Sequence, residues 1–274
     1  LVAGATPRCL EVATALYAAI VDRVVPVSSL KTAEMAKLVE NAFRMVNVGF
    51  ANEVALWCDQ LGLDVWEVID AAATKPFGFM AHYPGPGLGG HCIPVDPYYL
   101  VWKLKTLDYP ARFIELAGEI NRAMPPFVVS KVQGALERHG RPLRGSRVLV
   151  LGAAYKRDVA DVRESPSLDV IGLLVEHGAL VEYHDPHVPS VTVRLSERAL
   201  AHADELPAAK ETVLRLESVD LWPAVEHADC VVVCTDHSAY EWETLARRAR
   251  LIVDTRNAMR GVALTPADAE VVKL

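Results

Sequence analysis

The run Pro84-Gly-Pro-Gly-Leu-Gly-Gly-His-Cys92-Ile-Pro-Val-Asp96 sets a thiol in a stretch nearly bare of side chains. Gly85, Gly87, Gly89 and Gly90 permit positive φ and let main-chain N–H groups approach a ligand closely. Cys92 lies just before an expected helix start. The partial positive charge there favours thiolate, the nucleophilic form. A flexible loop around an inert cysteine would have the same composition. Lys37 and Asn41 are four residues apart in a helical pattern and share a face, within a polar stripe of Glu34, Lys37, Asn41 and Arg44. A solvated helix face has this pattern too, so the pair gains meaning only beside the glycine–cysteine run. Asp96-Pro97 reads as an N-cap followed by proline at the first helical position. Lys156 follows a strand and a glycine, the usual place for phosphate recognition in an open α/β sheet. For any one such cation taken alone, a surface ion pair is the readier explanation. His91 adjoins Cys92, but loop neighbours usually point apart, which makes it a weak base candidate. Cys58, Cys230 and Cys234 sit in apolar patterns and read as core. No His/Cys/Asp cluster has zinc spacing, so no metal is expected.

The elements that must position these groups can be read from periodicity. Met35, Leu38, Val39, Ala42, Val46, Phe50 and Val54 recur at three- and four-residue steps. They predict one helix from Thr32 to Leu61, stopped by Gly62, with a length of ~45 Å. Helices this long often pair across a dimer axis, so a homodimer is expected. Asp64, with Glu67 three residues on, starts a second helix. The Gly/Pro-rich stretch Thr74–Pro94 is long enough to be functional. Further helices are expected over Phe113–Arg122 and Pro126–His139. Beyond Gly145 the pattern alternates: strands at Arg147–Leu151, Leu180–Tyr183, Cys230–Cys234 and Leu251–Asp254, with a helix at Ser165–His177. Such alternation predicts a parallel doubly wound sheet. Residues 190–218 show no clear pattern. Upstream, Leu1–Gly4 and Val24–Val27 read as strand fragments around a helix at Glu11–Val21, an αβ unit with no sheet to join.

The 274 residues suffice for two domains, and 51% are hydrophobic. No apolar run approaches the ~18 residues of a membrane span. The net charge of −7 excludes a general basic field for nucleic acid. Five cysteines, odd in number and irregular in spacing, fit a reducing compartment, and a cytoplasmic protein is expected.

Several ordered segments together resemble the UDP-glucose/GDP-mannose dehydrogenase family. They are Ala33-Glu-Met-Ala-Lys37-Leu-Val-Glu-Asn41-Ala-Phe43, Asn52-Glu53, Gly89-Gly-His-Cys92-Ile-Pro-Val-Asp96, Leu151–Pro166, Thr235-Asp-His237 and Asp254-Thr-Arg256-Asn257. The resemblance implies an α/β protein: an all-α central dimerisation domain followed by a Rossmann-like parallel-sheet domain that binds UDP. It divides the chain into 1–30, a remnant of a truncated NAD-binding domain; 31–140, the central domain with the cysteine loop; and 141–274, the UDP-sugar-binding domain. No Gly-x-Gly-x-x-Gly fingerprint is present, so NAD would be bound mostly elsewhere and the 274 residues alone are expected to be inactive. The implied reaction is NAD-dependent, two-step oxidation of the C6 alcohol of a UDP-hexose to the uronate. Cys92 would be the nucleophile, Lys37 and Asn41 the oxyanion stabilisers, and Asp96 the water-positioning carboxylate. Tyr83, Gly85, Gly87, Gly89, Gly90, Lys156 and Arg256 would contact the UDP-sugar, and Arg163 the NAD pyrophosphate. Ala73–Tyr83 resembles the branch acting on UDP-N-acetylhexosamines, with UDP-N-acetylglucosamine the first choice. UDP-N-acetylmannosamine, UDP-N-acetylgalactosamine and UDP-glucose follow, and GDP-mannose is a remoter alternative. Three readings compete: a non-catalytic UDP-sugar-binding module, a cysteine hydrolase without NAD, and a 2-hydroxyacid dehydrogenase that needs no thiol.

Overall fold

A computed structural model describes residues 1–195 and 212–274. Two long helices organise the first half. The first of them, α2 (Leu30–Leu61), starts where the Ser29 hydroxyl accepts from the Thr32 amide. It ends at Gly62, whose φ of 69° gives the left-handed cap only glycine adopts cheaply. Before it, α1 (Pro7–Ala18) has no buried residue, and the expected strand fragments meet only as a single parallel bridge between Val2 and Pro26. After α2 come α3 (Val65–Ala73), capped by the Asp64 carboxylate as expected, and α4 (Asp96–Lys105).

Helix α5 (Arg112–Arg138) replaces the two helices expected on either side of Pro125-Pro126. Each proline removes one i→i−4 hydrogen bond, which usually ends a helix. Here burial overrides that loss. The first half of α5 packs Ile114 and Ala117 with Met45 of α2 and Val101 of α4. Its second half lays Met124, Val128, Val129, Val132 and Leu136 on the sheet. One helix thus belongs to both cores and couples them rigidly.

The sheet has the order β2-β1-β5-β6-β7, all parallel: β1 (Arg147–Leu151), β2 (Leu180–His184), β5 (Cys230–Val233), β6 (Leu251–Asp254) and β7 (Glu270–Lys273). Strand β7 was not foreseen. Val148 and Val150 face α5 and α6 (Pro166–Glu176), while Leu149 and Leu151 face α7 (Leu221–His227) and α8 (Trp242–Arg248). Coverage on both faces explains why these strands read as unbroken apolar runs. Between β2 and α7, β3 (Ser190–Leu195) and β4 (Thr212–Glu217) form an antiparallel pair in the stretch without clear pattern. Residues 196–211 of that stretch lie outside the described residues. The chain crosses from β1 to β2 on one side of the sheet centre and then returns past β1 to β5 on the other, so the switch point lies at the carboxyl ends of β1 and β5.

Candidate functional site

Helices α2 and α4 bring three of the singled-out residues into one hydrogen-bonded chain. Lys37 Nζ donates to Asn41 Oδ1 at 3.1 Å, and Asn41 Nδ2 donates to Asp96 Oδ2 at 2.8 Å. Asn41 is buried at 1% exposure, so the polar stripe of α2 is not a solvated face at this position. Lys37 is exposed and also reaches Glu40, which in turn binds Arg44. Asp96 is not the N-cap expected. Val95 holds that place without a side-chain bond, and Asp96 is the first residue of α4, its carboxylate turned to Asn41. The capping acceptor is instead the Cys92 carbonyl, which receives the amides of Val95 and Asp96 at 3.1 and 2.7 Å. Cys92 itself is half-buried, and His91 beside it is exposed.

The glycines of the loop do more than expose backbone. A Cβ on Gly89 would come within 2.7 Å of Tyr155 Cβ and 2.8 Å of the Glu164 carbonyl. One on Gly87 would meet Pro166, and one on Gly90 the Tyr155 ring. Gly90 also donates its amide to the Arg163 carbonyl at 3.0 Å. The loop is pressed flat against the segment that follows β1, and glycine is required because of that closeness. Its start is anchored by a buried amide pair foreseen only in part: Gly85 N–H donates to Asn52 Oδ1, and Asn52 Nδ2 to Asn121 Oδ1.

A cleft of about 460 Å³ opens where this loop meets the end of β6, lined by Trp66, Tyr83, Arg157, Arg256, Asn257 and Arg260 among others. Arg256 Nε donates to the Cys234 carbonyl, and its guanidinium fills the space a Gly85 side chain would need. Tyr83 stacks on Trp66 and donates its hydroxyl to Asp70, which also binds Arg260. Arg157 pairs with Asp236. Trp66 Nε1 and Asn257 Oδ1, both buried, have no hydrogen-bond partner among the described residues. Both residues line the cleft, whose cations and aromatic rings suit a polar ligand. Sequence reasoning found Tyr83 and Arg256 but missed Trp66, Arg157, Asn257 and Arg260. Arg157 and Asn257 lay within the family-like segments Leu151–Pro166 and Asp254–Asn257 without being singled out.

The remaining cations sit on the loop after β1. Lys156 is exposed and has no ion-pair partner among the described residues. Arg163 is exposed and chelates Asp161; that hydrogen bond first, with the Arg163 amide, holds the Asp161 carboxyl at about 2. Cys230 and Cys234 share the α5 face of the sheet with no exposure, and burial pushes both thiols up, Cys234 to about 12. Burial likewise raises Cys58. These three read as core in sequence and are core in structure.

A half-buried thiol thus lies on a loop pressed between a helical module and the segment that follows β1 of a parallel sheet. Residues 31–123 match the central domain, and residues 149–261 the UDP binding domain, of the UDP-glucose/GDP-mannose dehydrogenase family. The chain belongs to that family. It is 36% identical over 258 residues to the NDP-N-acetyl-D-galactosaminuronic acid dehydrogenase of Ralstonia solanacearum, which covers 93% of this chain and 55% of that protein. It is 35% identical over 241 residues to a UDP-N-acetyl-D-mannosamine dehydrogenase of Methanococcus maripaludis, covering 88% of this chain and 49% of that one. The solved UDP-D-ManNAc dehydrogenase of Pyrococcus horikoshii superposes with a TM-score of 0.77 at 32% identity, covering 97% of this chain and 57% of that chain. The chain therefore spans about half the length of the curated relatives it matches.

Proposed function

We propose that this chain forms the thiol and nucleotide sides of an NAD-dependent enzyme that oxidises the C6 alcohol of a UDP-N-acetylhexosamine to the carboxylate. The carrying observation is the Lys37–Asn41–Asp96 chain, which ends on the residue whose amide binds the Cys92 carbonyl. The first oxidation yields an aldehyde. Attack by the Cys92 thiolate traps it as a thiohemiacetal, the second oxidation gives a thioester, and water releases the carboxylate and the thiol. Lys37 and the free N–H of Asn41 stabilise the oxyanion of each tetrahedral species. Asp96, held through one oxygen, keeps the other for the attacking water.

NAD, when bound, accepts a hydride at each oxidation. The crevice at the end of β1 offers it no pyrophosphate seat, because Asp185 Oδ2 already accepts the amides of Ala153 and Ala154. Arg163, exposed and tied to the cysteine loop through Gly90, is the residue expected against its pyrophosphate. Residues 31–140 supply the thiol side. Residues 141–274 supply Lys156 and Arg256 to the UDP-sugar, which runs along Gly85–Gly90 from the arginine cleft to Cys92.

The relatives described above name N-acetylmannosamine and N-acetylgalactosaminuronic acid, not the N-acetylglucosamine first expected. UDP-N-acetylmannosamine is therefore the substrate to try first. The full-length protein should form two NADH per UDP-N-acetylhexosamine consumed, and Cys92→Ala should form no uronate. Undiminished turnover by Cys92→Ala would remove the thiol from the mechanism. Helix α2 leaves Met35, Val39, Phe43, Phe50, Trp57 and Leu61 exposed, and a groove of about 490 Å³ lies beside the last three. A second copy of the chain covers this face in our reading. Sedimentation should give a dimer that Trp57→Glu dissociates; a monomeric wild-type protein would exclude it.

A further inference from the structure

In the run Ala153–Asp158, every residue but Lys156 is tied to a neighbour among the described residues. Ala153 and Ala154 donate their amides to Asp185 Oδ2 at 2.7 and 2.9 Å. Their carbonyls accept from Ser165 Oγ and Thr235 Oγ1. The Tyr155 amide binds the Asp161 carbonyl, and Arg157 pairs with Asp236. The Asp158 amide donates to His237 Nδ1 at 2.9 Å, and the Asp158 carboxylate accepts from Ser238. Asp158 has a φ of 59°, a left-handed conformation uncommon outside glycine and best tolerated by Asp and Asn, and here its amide and carboxylate are both bound.

Two buried groups hold this run. Asp185 Oδ2 takes both alanine amides and His237 Nε2 at 3.0 Å, while Oδ1 takes the amides of His187 and Val188. The imidazole of His237 has no exposure. Since the Asp158 amide must donate to Nδ1, that nitrogen is the unprotonated one, and Nε2–H points at Asp185. The ring is a rigid strut between the carboxylate and the loop. Asp158, His187 and His237 also bring one ligand atom each within 4.8 Å, a spacing that suits a cation. The Nδ1 lone pair is already occupied by the Asp158 amide, so the triad is part of the strut and not a metal site.

The geometry points to Asp185 and His237 as positioning residues for the nucleotide. In open α/β sheets the amides after the first strand usually cradle a ligand phosphate. Here the protein's own carboxylate takes that place, and the displaced phosphate recognition falls to Lys156, the charged side chain of Ala153–Asp158 with no hydrogen bond or ion pair among the described residues. This rests on the reading of Lys156 as a UDP contact. Neither Asp185 nor His237 touches the substrate; both act through the loop.

The test uses UDP itself, with binding to the purified chain measured by calorimetry. The amide of glutamine at 237 can reach Asp185 in place of Nε2 but leaves the Asp158 amide free. Asparagine at 237 can accept the Asp158 amide in place of Nδ1. His237→Gln should weaken UDP binding about tenfold, and Lys156→Ala at least as much. Their combination should lose no more than Lys156→Ala alone, since both changes remove one contact. His237→Asn should recover most of the affinity. Independent of any variant, the Ala153, Ala154 and Asp158 amides of the wild-type chain should exchange slowly with solvent. Unchanged UDP binding by His237→Gln, additive losses, or fast exchange of these amides would overturn the proposal. A wild-type chain that binds no UDP would instead overturn the nucleotide reading beneath it.

Discussion

The glycine run 84–92 and the loop after β1 face each other across the junction of helices and sheet, yet they are held by opposite means. The first is shaped by missing side chains. Gly87, Gly89 and Gly90 let it lie against Pro166 and Tyr155, and among the described residues its polar ties are few: the Asn52 bond at Gly85, the Gly90 amide to Arg163, and the Cys92 carbonyl to the amides of Val95 and Asp96. The second is shaped by polar side chains that reach back to its amides and carbonyls from Asp185, His237, Ser165 and Thr235. A flat loop is sensitive to added volume, and a pinned loop to the loss of one acceptor. The Cys92 thiol thus rides on the loop with fewer polar ties. Lys156 rides on the one with more.

The largest effect expected from this contrast is at Asp185. Its carboxylate accepts five hydrogen bonds in a buried site, so Asp185→Asn turns an N–H₂ toward donors and should destabilise the chain by roughly 3–5 kcal/mol. Burial alone would raise this carboxyl. The hydrogen bonds from His237 and from the amides of Ala154 and His187 outweigh it and hold the group at about 2, below its ordinary 3.8. A depressed folded-state value contributes stability that is complete above about pH 4 and is lost as pH falls through about 2. That contribution is of order 2 kcal/mol. Denaturant melts of the wild type between pH 5 and 2 should show this loss, and the same melts of Asp185→Asn should be flatter. Equal slopes would mean that the pinned loop does not depend on the carboxylate.

A smaller effect is expected in the glycine run. Gly89→Ala places a methyl against Tyr155 Cβ and the Glu164 carbonyl, neither of which is the free end of a flexible side chain. Overpacking of this kind costs about 1–3 kcal/mol. Denaturant midpoints should fall accordingly, and thiol reactivity at Cys92 should change as the loop lifts. A neutral Gly89→Ala would show that the loop is not pressed on the sheet side and would erase the contrast.

Much of this arrangement was legible in order along the chain. The long helix and its Gly62 cap, the Asp64 cap and the strands β1, β2, β5 and β6 follow from periodicity and punctuation. Cys230 and Cys234 were placed in the core because alternate residues of a strand share a face. Helix α5 was misjudged because proline is a local signal, whereas its burial against two cores is not local. Asp96 was misread as a cap for a related reason: its partner, Asn41, is 55 residues away. The β3–β4 pair and β7 were missed because short strands without strong alternation are recognised only by their partners.

By itself the sequence determined most of the element types and the family, because these rest on short-range periodicity and on several motifs in fixed order. The tertiary structure decided which residues meet. It joined Lys37 and Asn41 to Asp96, flattened the glycines against Tyr155 and Pro166, and opened a cleft among Trp66, Arg157 and Arg256. It also closed the β1 crevice with Asp185. These pairings depend on how α5 holds the helices against the sheet, and no local pattern in the chain carries that information.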